Sequence, residues 1–180
     1  MIDGRRTDTR ARIRATALEL FVAQGFDVTT LAQVADRLQI TRPAVYHHFR
    51  SKEDVLTSSY EEVIPLLDAI ISGPREDAAA RTIELFSGPY TLVVACTFVN
   101  ERALRGTPGA AAMLSRLDDL ARRLAPSPDV EGTMRGRLAL SALTMATGRA
   151  AQLGGTDDDR RAAAHRLVDH LLSDQHQDDR

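Results

Sequence analysis

Apolar residues recur along nearly the whole chain at the three- and four-residue spacing of amphipathic α-helices. Between residues 8 and 24 they form one stripe that includes Ile13, Ala17 and Phe21, while the arginines of the same segment lie off it. Gly25 follows directly, at a place where a residue free to adopt positive φ commonly ends a helix. The spacing therefore predicts an N-terminal helix over residues 8–24.

Two short helices follow, separated by a tight link. Thr30, with a glutamine three residues later, has the capping-box arrangement that begins a helix, which we predict over 30–38. Thr41 can cap the next helix, over 41–48, because a proline is tolerated in a first turn. Two short helices joined in this way and preceded by an amphipathic helix are typical of a helix-turn-helix motif, which we place at 30–49.

The rest of the chain also has helical patterns. Ser51 with Asp54 begins a fourth helix to about residue 71. Thr91–Val99 has the β-branched content of a buried strand, but no partner strand exists elsewhere, so we expect a helix there. Glycine- and proline-rich breaks separate five further helices. These are predicted over 75–86, 89–104, 108–125, 129–152 and 157–173, which makes the expected fold all-α with about nine helices.

The charge is unevenly distributed along the chain. Residues 1–52 hold nine basic and five acidic residues, a net of +4, whereas residues 53–180 hold fourteen and twenty, a net of −6. A basic N-terminal part on an acidic remainder suits a protein that presents one end to a polyanion. Chance asymmetry of surface charges gives the same pattern, so charge alone does not decide the function.

The sequence lacks the signals of a membrane or secreted protein. Its longest uncharged stretches, 85–100 and 138–148, are shorter than the roughly 18 residues of a membrane-spanning helix. The first residues lack the apolar run of a signal peptide. The single cysteine, Cys96, cannot form an internal disulfide, and a cytoplasmic location is the simplest interpretation.

The predicted helix 41–48 carries polar side chains over most of its surface. They provide hydroxyl, guanidinium, phenol and imidazole groups, all able to donate to phosphates or base edges. Val45 and Phe49 are spaced to pack inward, and Lys52 follows where its ammonium could reach a phosphate. A helix this short and polar needs a partner for its outer face, and DNA is the best candidate. The donors are Thr41, Arg42, Tyr46, His47 and His48.

Residues 11–56, ARIRATALELFVAQGFDVTTLAQVADRLQITRPAVYHHFRSKEDVL, resemble the N-terminal domain of TetR (tetracycline-repressor-like) family regulators along their whole length. Three patterns carry the resemblance. They are A-x-x-L-F-x-x-x-G-[FY] at 17–26, T-[ST]-[LV]-x-x-[IV]-A at 29–35 and [LV]-Y-x-[HY]-F-x-[SN]-K at 45–52. Family members often have glycine where this chain has Gln39, and a non-glycine residue at positive φ there costs on the order of 1 kcal/mol.

The resemblance implies a helix-turn-helix domain over 7–67 and a ligand-binding, dimerising domain over 68–180. The implied function is that of a ligand-responsive transcription regulator, a repressor released from a near-palindromic operator by a small, mainly apolar effector. No catalytic activity, cofactor or metal is expected. Arg42 and Ala44 are expected to read bases, and Tyr46, His48 and Lys52 to contact phosphates. The implied DNA-binding residues are Thr30, Gln33, Thr41, Arg42, Pro43, Ala44, Tyr46, His47, His48 and Lys52.

The C-terminal part carries no recognisable motif, so its interpretation depends on patterning. Between residues 138 and 153 the only charge is Arg149, and a helix apolar on every face must be covered on two sides. We expect a second subunit on one side, as a homodimer, although a wholly internal core helix is the alternative. The expected centre of the interface is Leu143, Thr147, Ala150, Val168 and Leu171.

Two further groups of residues are candidates for ligand binding. His165, Asp169, His170, Asp174 and His176 cluster near the C-terminus and suggest a metal-binding protein or enzyme as the alternative function. Their spacing matches no zinc pattern, however, and a solvated helix end explains them. Other residues mix apolar and aromatic walls with polar groups, as effector pockets do, although ordinary core packing is the alternative. These candidates are Phe86, Tyr90, Cys96, Thr97, Phe98, Asn100, Met113 and Met145.

Overall fold

The chain folds into α-helices joined by short turns. A computed structural model describes residues 4–146 and 154–173, and in these ranges it contains ten helices and no strand, which confirms the all-α prediction. The helices are α1 (Gly4–Gln24), α2 (Leu31–Leu38), α3 (Arg42–His48), α4 (Lys52–Ile71), α5 (Arg75–Ser87), α6 (Thr91–Val99), α7 (Glu101–Leu104), α8 (Ala110–Leu124), α9 (Val130–Met145) and α10 (Asp157–Leu172).

The caps that the sequence predicts are present. Thr30 Oγ1 accepts from the Gln33 backbone N–H at 3.3 Å, and the Gln33 side-chain oxygen accepts from the Thr30 N–H at 2.8 Å. The side-chain oxygens of Thr41 and Ser51 accept from the backbone N–H three residues further on, in α3 and α4, and Thr156 forms a second reciprocal capping box with Asp159 at the start of α10. Each cap satisfies N–H groups that the first turn of a helix leaves without an internal partner.

The segment Thr91–Val99 is helical, as expected, but the predicted single helix over 89–104 is wrong. It is two helices, α6 and α7, which meet at Asn100 (φ −111°, ψ 17°). Asn100 is buried, and its side-chain amide binds backbone groups of another part of the chain. This tertiary contact interrupts the helix, and a pattern of apolar residues along the chain carries no sign of it.

The helices form a small head, α1 to α3 with the first turn of α4, and a larger body, which is the rest of α4 and α5 to α10. In the body α9 packs between α8 and α10, and α8 packs on α4, while α1 of the head packs on α6. Gly136 allows the close approach of α9 to α8, because a Cβ there would overlap the carbonyl oxygen of Ala121. The predicted domain boundary after residue 67 lies inside α4 and stays a prediction.

Within the described ranges, no single helix is both long and apolar enough to cross a membrane. Helices α5 and α6 reach the required length and composition only as a pair, and that pair is bent by 90°.

Candidate nucleic-acid interface

The turn between α2 and α3 sets the angle between these two helices. Gln39 ends α2 with φ 55° and ψ 39°, and it is the one non-glycine residue with positive φ among the described residues. The Gln39 N–H donates to the Asp36 carbonyl at 3.2 Å, and the Ile40 N–H donates to the Ala35 carbonyl at 3.1 Å. The backbone therefore makes the tight turn although the residue is not glycine.

Helix α3 has one buried face and one exposed face. Val45 is 0% exposed and Phe49, which follows the helix, is 2% exposed, so this short element is held against the head core. On the other side Tyr46 is about half exposed, at 51%. The remaining predicted contact residues divide by exposure: Thr41, Arg42, Pro43 and His47 are exposed, whereas Ala44 and His48 are half-buried.

The end of α3 is held by a residue that the sequence interpretation missed. Arg10 of α1 donates to the His48 carbonyl oxygen at 2.6 Å, and its guanidinium lies 4.2 Å from the centroid of the Phe49 ring. A cation at the last carbonyls of a helix is favourable because of their partial negative charge. Arg10, Arg12 and Arg14 all lie off the apolar stripe of α1, and spacing alone does not distinguish among them.

A polar groove of about 380 Å³ runs between α3 and the first turns of α4. Tyr46 and His47 line one side, and Asp54 lies on the other. Arg50, exposed between the two helices, also lines the groove, and its backbone N–H donates to Asp54 Oδ2 at 3.0 Å. Arg50 was not among the predicted contact residues, although it lies inside the 45–52 pattern.

Lys52 is bound inside the head. Its ammonium donates to the carbonyl oxygens of Phe26 at 2.7 Å and Asp27 at 2.9 Å, and it lies 4.4 Å from the centroid of the Phe26 ring. The first turn of α4 is thereby joined to the turn between α1 and α2. The expected contact of Lys52 with a phosphate stays a prediction, and this side chain has a structural role besides.

Gln33 and Thr30 are likewise engaged at the start of α2. The Gln33 side-chain oxygen accepts from the Thr30 N–H and from Gln24 Nε2, the latter at 3.2 Å. Gln24 Nε2 also donates to Thr29 Oγ1 at 3.0 Å. These bonds fix the orientation of the two predicted contact residues on α2.

The candidate effector residues have different surroundings in the part of the chain that the structure describes. Asn100 directs its amide toward the head, as described above. Tyr90 lines a cavity of about 170 Å³ between α1, α4 and α6, whereas Met145, at the end of α9, lines a different groove and is 58% exposed. The other candidates are packed into the body: Phe86, Cys96, Thr97 and Met113 are buried, and Phe98 is half-buried.

Burial leaves two ionisable groups of this core neutral. It raises the pKa of the Cys96 thiol to about 12 and that of the Tyr60 phenol to about 12. Tyr60 Oη is 3.2 Å from Thr97 Oγ1, so α4 and α6 share a buried hydrogen bond. A thiol held in this state is a poor nucleophile and a poor redox sensor.

The predicted dimer residues lie on more than one face. Leu143 and Val168 are buried within the subunit, and Leu171 is half-buried. Thr147 and Ala150 lie outside the described residues. The exposed large apolar side chains of α9 and α10 are Val130, Met134, Leu138, Met145 and Leu167; the last three line an apolar groove of about 540 Å³, to which Leu171 also contributes.

The C-terminal histidine and aspartate cluster divides in a similar way. Asp174 and His176 lie outside the described residues, and His165 Nε2 is 3.3 Å from Ser87 Oγ. Among the residues that can be described, no group of three or more histidine, cysteine, aspartate or glutamate side chains is arranged to hold a metal ion.

Comparison with known sequences matches the chain to bacterial HTH-type transcriptional regulators. The profile of the family described as "Bacterial regulatory proteins, tetR family" matches residues 13–58. The HTH-type transcriptional regulator SrpR of Pseudomonas putida is 53% identical over 49 residues, which are 27% of this chain and 23% of that protein. The HTH-type transcriptional regulator TcmR of Streptomyces glaucescens is 30% identical over 132 residues, 70% of this chain and 57% of that protein. The chain thus spans less than two thirds of the length of these relatives.

Solved structures match over nearly the whole chain. A bacterial regulatory protein in the tetR family from Rhodococcus RHA1 is 24% identical, with a TM-score of 0.57 over 91% of this chain and 94% of that one. A gamma-butyrolactone receptor described as ArpA-like is 21% identical, with a TM-score of 0.58 over 93% and 98%. At these identities the similarity establishes the fold alone.

Proposed function

Because the chain belongs to the tetR family of bacterial regulatory proteins, we propose that its head binds double-stranded DNA and that the protein regulates transcription. The observation that carries the proposal is the exposed polar face of α3, on a helix whose opposite face is anchored by Val45. An anchored helix of this kind can enter the major groove as a rigid unit. The net charge of +4 in residues 1–52 supports an approach to a polyanion.

We assign roles within the interface from position and chemistry. Arg42 is exposed in the first turn of α3, where a guanidinium can bind guanine O6 and N7 together. Tyr46 and His47 lie further along the exposed side and are proposed to contact phosphates, with His48 at their edge. Arg50, at the groove beside them, is added to this group.

The test of DNA binding is selection from a random library of DNA duplexes by the wild-type protein, Arg42→Ala and Arg105→Ala. Arg105 is 75% exposed in the body, so its substitution removes the same charge outside the predicted contact residues. Arg42→Ala should relax the preference at one base pair of each half-site, by about 1–3 kcal/mol. Arg105→Ala should return the wild-type site. Failure of the wild type to enrich any sequence would exclude sequence-specific DNA binding.

We further propose that the protein acts as a homodimer on a near-palindromic operator. One α3 of two turns contacts few base pairs, and a two-fold axis doubles the contacts with half-sites about 34–36 Å apart. The exposed Leu138, Met145 and Leu167 support an interface on the outer side of α9 and α10. This is the helix pair expected from the sequence, and Leu171 of the expected centre lines the same groove.

The proposed control of DNA binding is release by a small, mainly apolar effector, which makes the protein a repressor. The cavity beside Tyr90 lies between the head and the body, where a ligand could change their relative position. Leu18 and Val93 give it apolar walls beside the Arg14–Glu62 ion pair. The test is a thermal-shift screen of apolar compounds, followed by titration of each stabilising compound into the complex with the selected duplex. A compound that stabilises the protein and releases the duplex supports this mechanism, whereas stabilisation without release argues against it.

A further inference from the structure

Asn100, at the junction of α6 and α7, connects the body to the head. Its Nδ2 donates to the Phe21 carbonyl oxygen at 3.0 Å, and its Oδ1 accepts from the Phe26 N–H at 2.8 Å. Nδ2 also donates to the Cys96 carbonyl within α6 at 3.0 Å. Asn100 is only 7% exposed, so these bonds form away from water, where a lost partner is costly.

The bonds of Asn100 continue toward the start of α2. They hold the turn at Gly25, whose φ is +106° and whose carbonyl accepts from Thr29 Oγ1 at 2.6 Å. Gln24 joins Thr29 to Gln33, and Gln33 accepts from the N–H of Thr30, the N-cap of α2. A series of hydrogen bonds, continued through the backbone of Gly25, thus leads from the body to the first turn of α2.

The same turn is held from the opposite side by Lys52. Asn100 binds the Phe26 N–H, and the Lys52 ammonium binds the Phe26 carbonyl oxygen. The Phe26 ring packs against Phe21 with centroids 5.0 Å apart, and it is 3% exposed. The Phe26 backbone is therefore fixed on both sides, by the body through Asn100 and by α4 through Lys52.

We propose that Asn100 is the positioning residue through which the body holds the helix-turn-helix in its DNA-binding orientation. This inference rests on the proposed function, and it concerns a residue that does not touch DNA. If the α6–α7 junction is displaced, Oδ1 and Nδ2 of Asn100 move away from the turn between α1 and α2. The start of α2 then loses its attachment to the body, while the exposed face of α3 is unchanged.

The test compares Asn100→Ala with Val94→Ala in the full chain. Val94 is 0% exposed on the same helix, so its truncation weakens body packing without altering the amide. Hydrogen exchange of backbone amides and affinity for the selected duplex are measured for both variants, together with thermal stability. Asn100→Ala should increase exchange at Phe26 and in α2 by about tenfold. It should also weaken duplex binding by about tenfold, although the two variants have similar thermal stability.

A second variant distinguishes the hydrogen bond that Asn100 accepts from those that it donates. Asn100→Asp keeps an acceptor for the Phe26 N–H but places a carboxylate oxygen against the Phe21 and Cys96 carbonyl oxygens, so it should increase exchange at the turn at least as much as Asn100→Ala. Equal duplex affinity and equal exchange at the turn in Asn100→Ala and Val94→Ala would overturn the proposal. If the wild type selects no duplex, the proposed function fails, and the exchange pattern alone then decides whether Asn100 fixes the turn.

Discussion

Replacing Gln39 with glycine should stabilise the protein, although it removes a whole side chain. Gln39 has φ 55° and ψ 39°, a conformation that costs an L-residue roughly 1–2 kcal/mol and glycine nothing. Glycine also increases the freedom of the unfolded chain, which lowers stability by about 0.4–1 kcal/mol. Because the side chain is exposed, its loss removes little packing. The expected net gain is about 0.5–1 kcal/mol, or about 1–4 °C in Tm for a chain of this size.

Thermal and urea unfolding of three variants would measure this gain. Gln39→Ala removes the same exposed side chain but keeps the Cβ, so it controls for lost contacts. Gln39→Asn, with a residue more tolerant of the left-handed region, should lie between alanine and glycine. The reasoning is refuted if Gln39→Gly is no more stable than Gln39→Ala, because the Cβ would then not be the source of the cost.

Three further changes test other parts of the structure. Gly136→Ala should lower the unfolding free energy by about 1–3 kcal/mol in urea titrations, because the new methyl group overlaps an α8 carbonyl oxygen; wild-type stability would exclude this close approach. Stability measured by the same titrations should fall above about pH 9. The pKa values of Cys96 and Tyr60 are raised to about 12 in the folded protein, so these groups lose their protons at lower pH in the unfolded chain, which favours unfolding. Tyr60→Phe should reduce the fall above about pH 10, and an unchanged slope would contradict burial of the neutral phenol. Leu167→Glu should convert a sedimenting dimer to monomer, whereas Arg166→Glu, one residue off the apolar stripe, should leave it intact. A Leu167→Glu dimer would place the interface elsewhere.

Much of the head could be predicted because its signals are local. Thr30 and the glutamine after it form a capping box within four residues, and such a box specifies a helix start whatever surrounds it. Val45 and Phe49 are four residues apart, so they share one helical face and leave the other to solvent. The exposed candidates on α3, such as Arg42 and Tyr46, followed from that division.

The body was less predictable because its decisive contacts are distant in sequence. Asn100 interrupts a helix by binding Phe21 and Phe26, more than seventy residues away. The pattern of residues 138–153, apolar on every side, could not tell the buried Leu143 from the exposed Leu138, since both faces look alike. The contacts of Lys52 in the head were also not predictable from the sequence, because an ammonium near α3 can bind either a carbonyl oxygen or a phosphate.

The contact between Arg10 and the end of α3 has a practical consequence for shortened forms of the protein. Arg10 lies in the first half of α1, far along the chain from the helix whose last carbonyl it binds. A chain that begins at residue 12 would keep the whole predicted DNA-reading surface and lose the guanidinium behind it. Weak DNA binding by such a form would report on the support of α3 and not on its exposed residues.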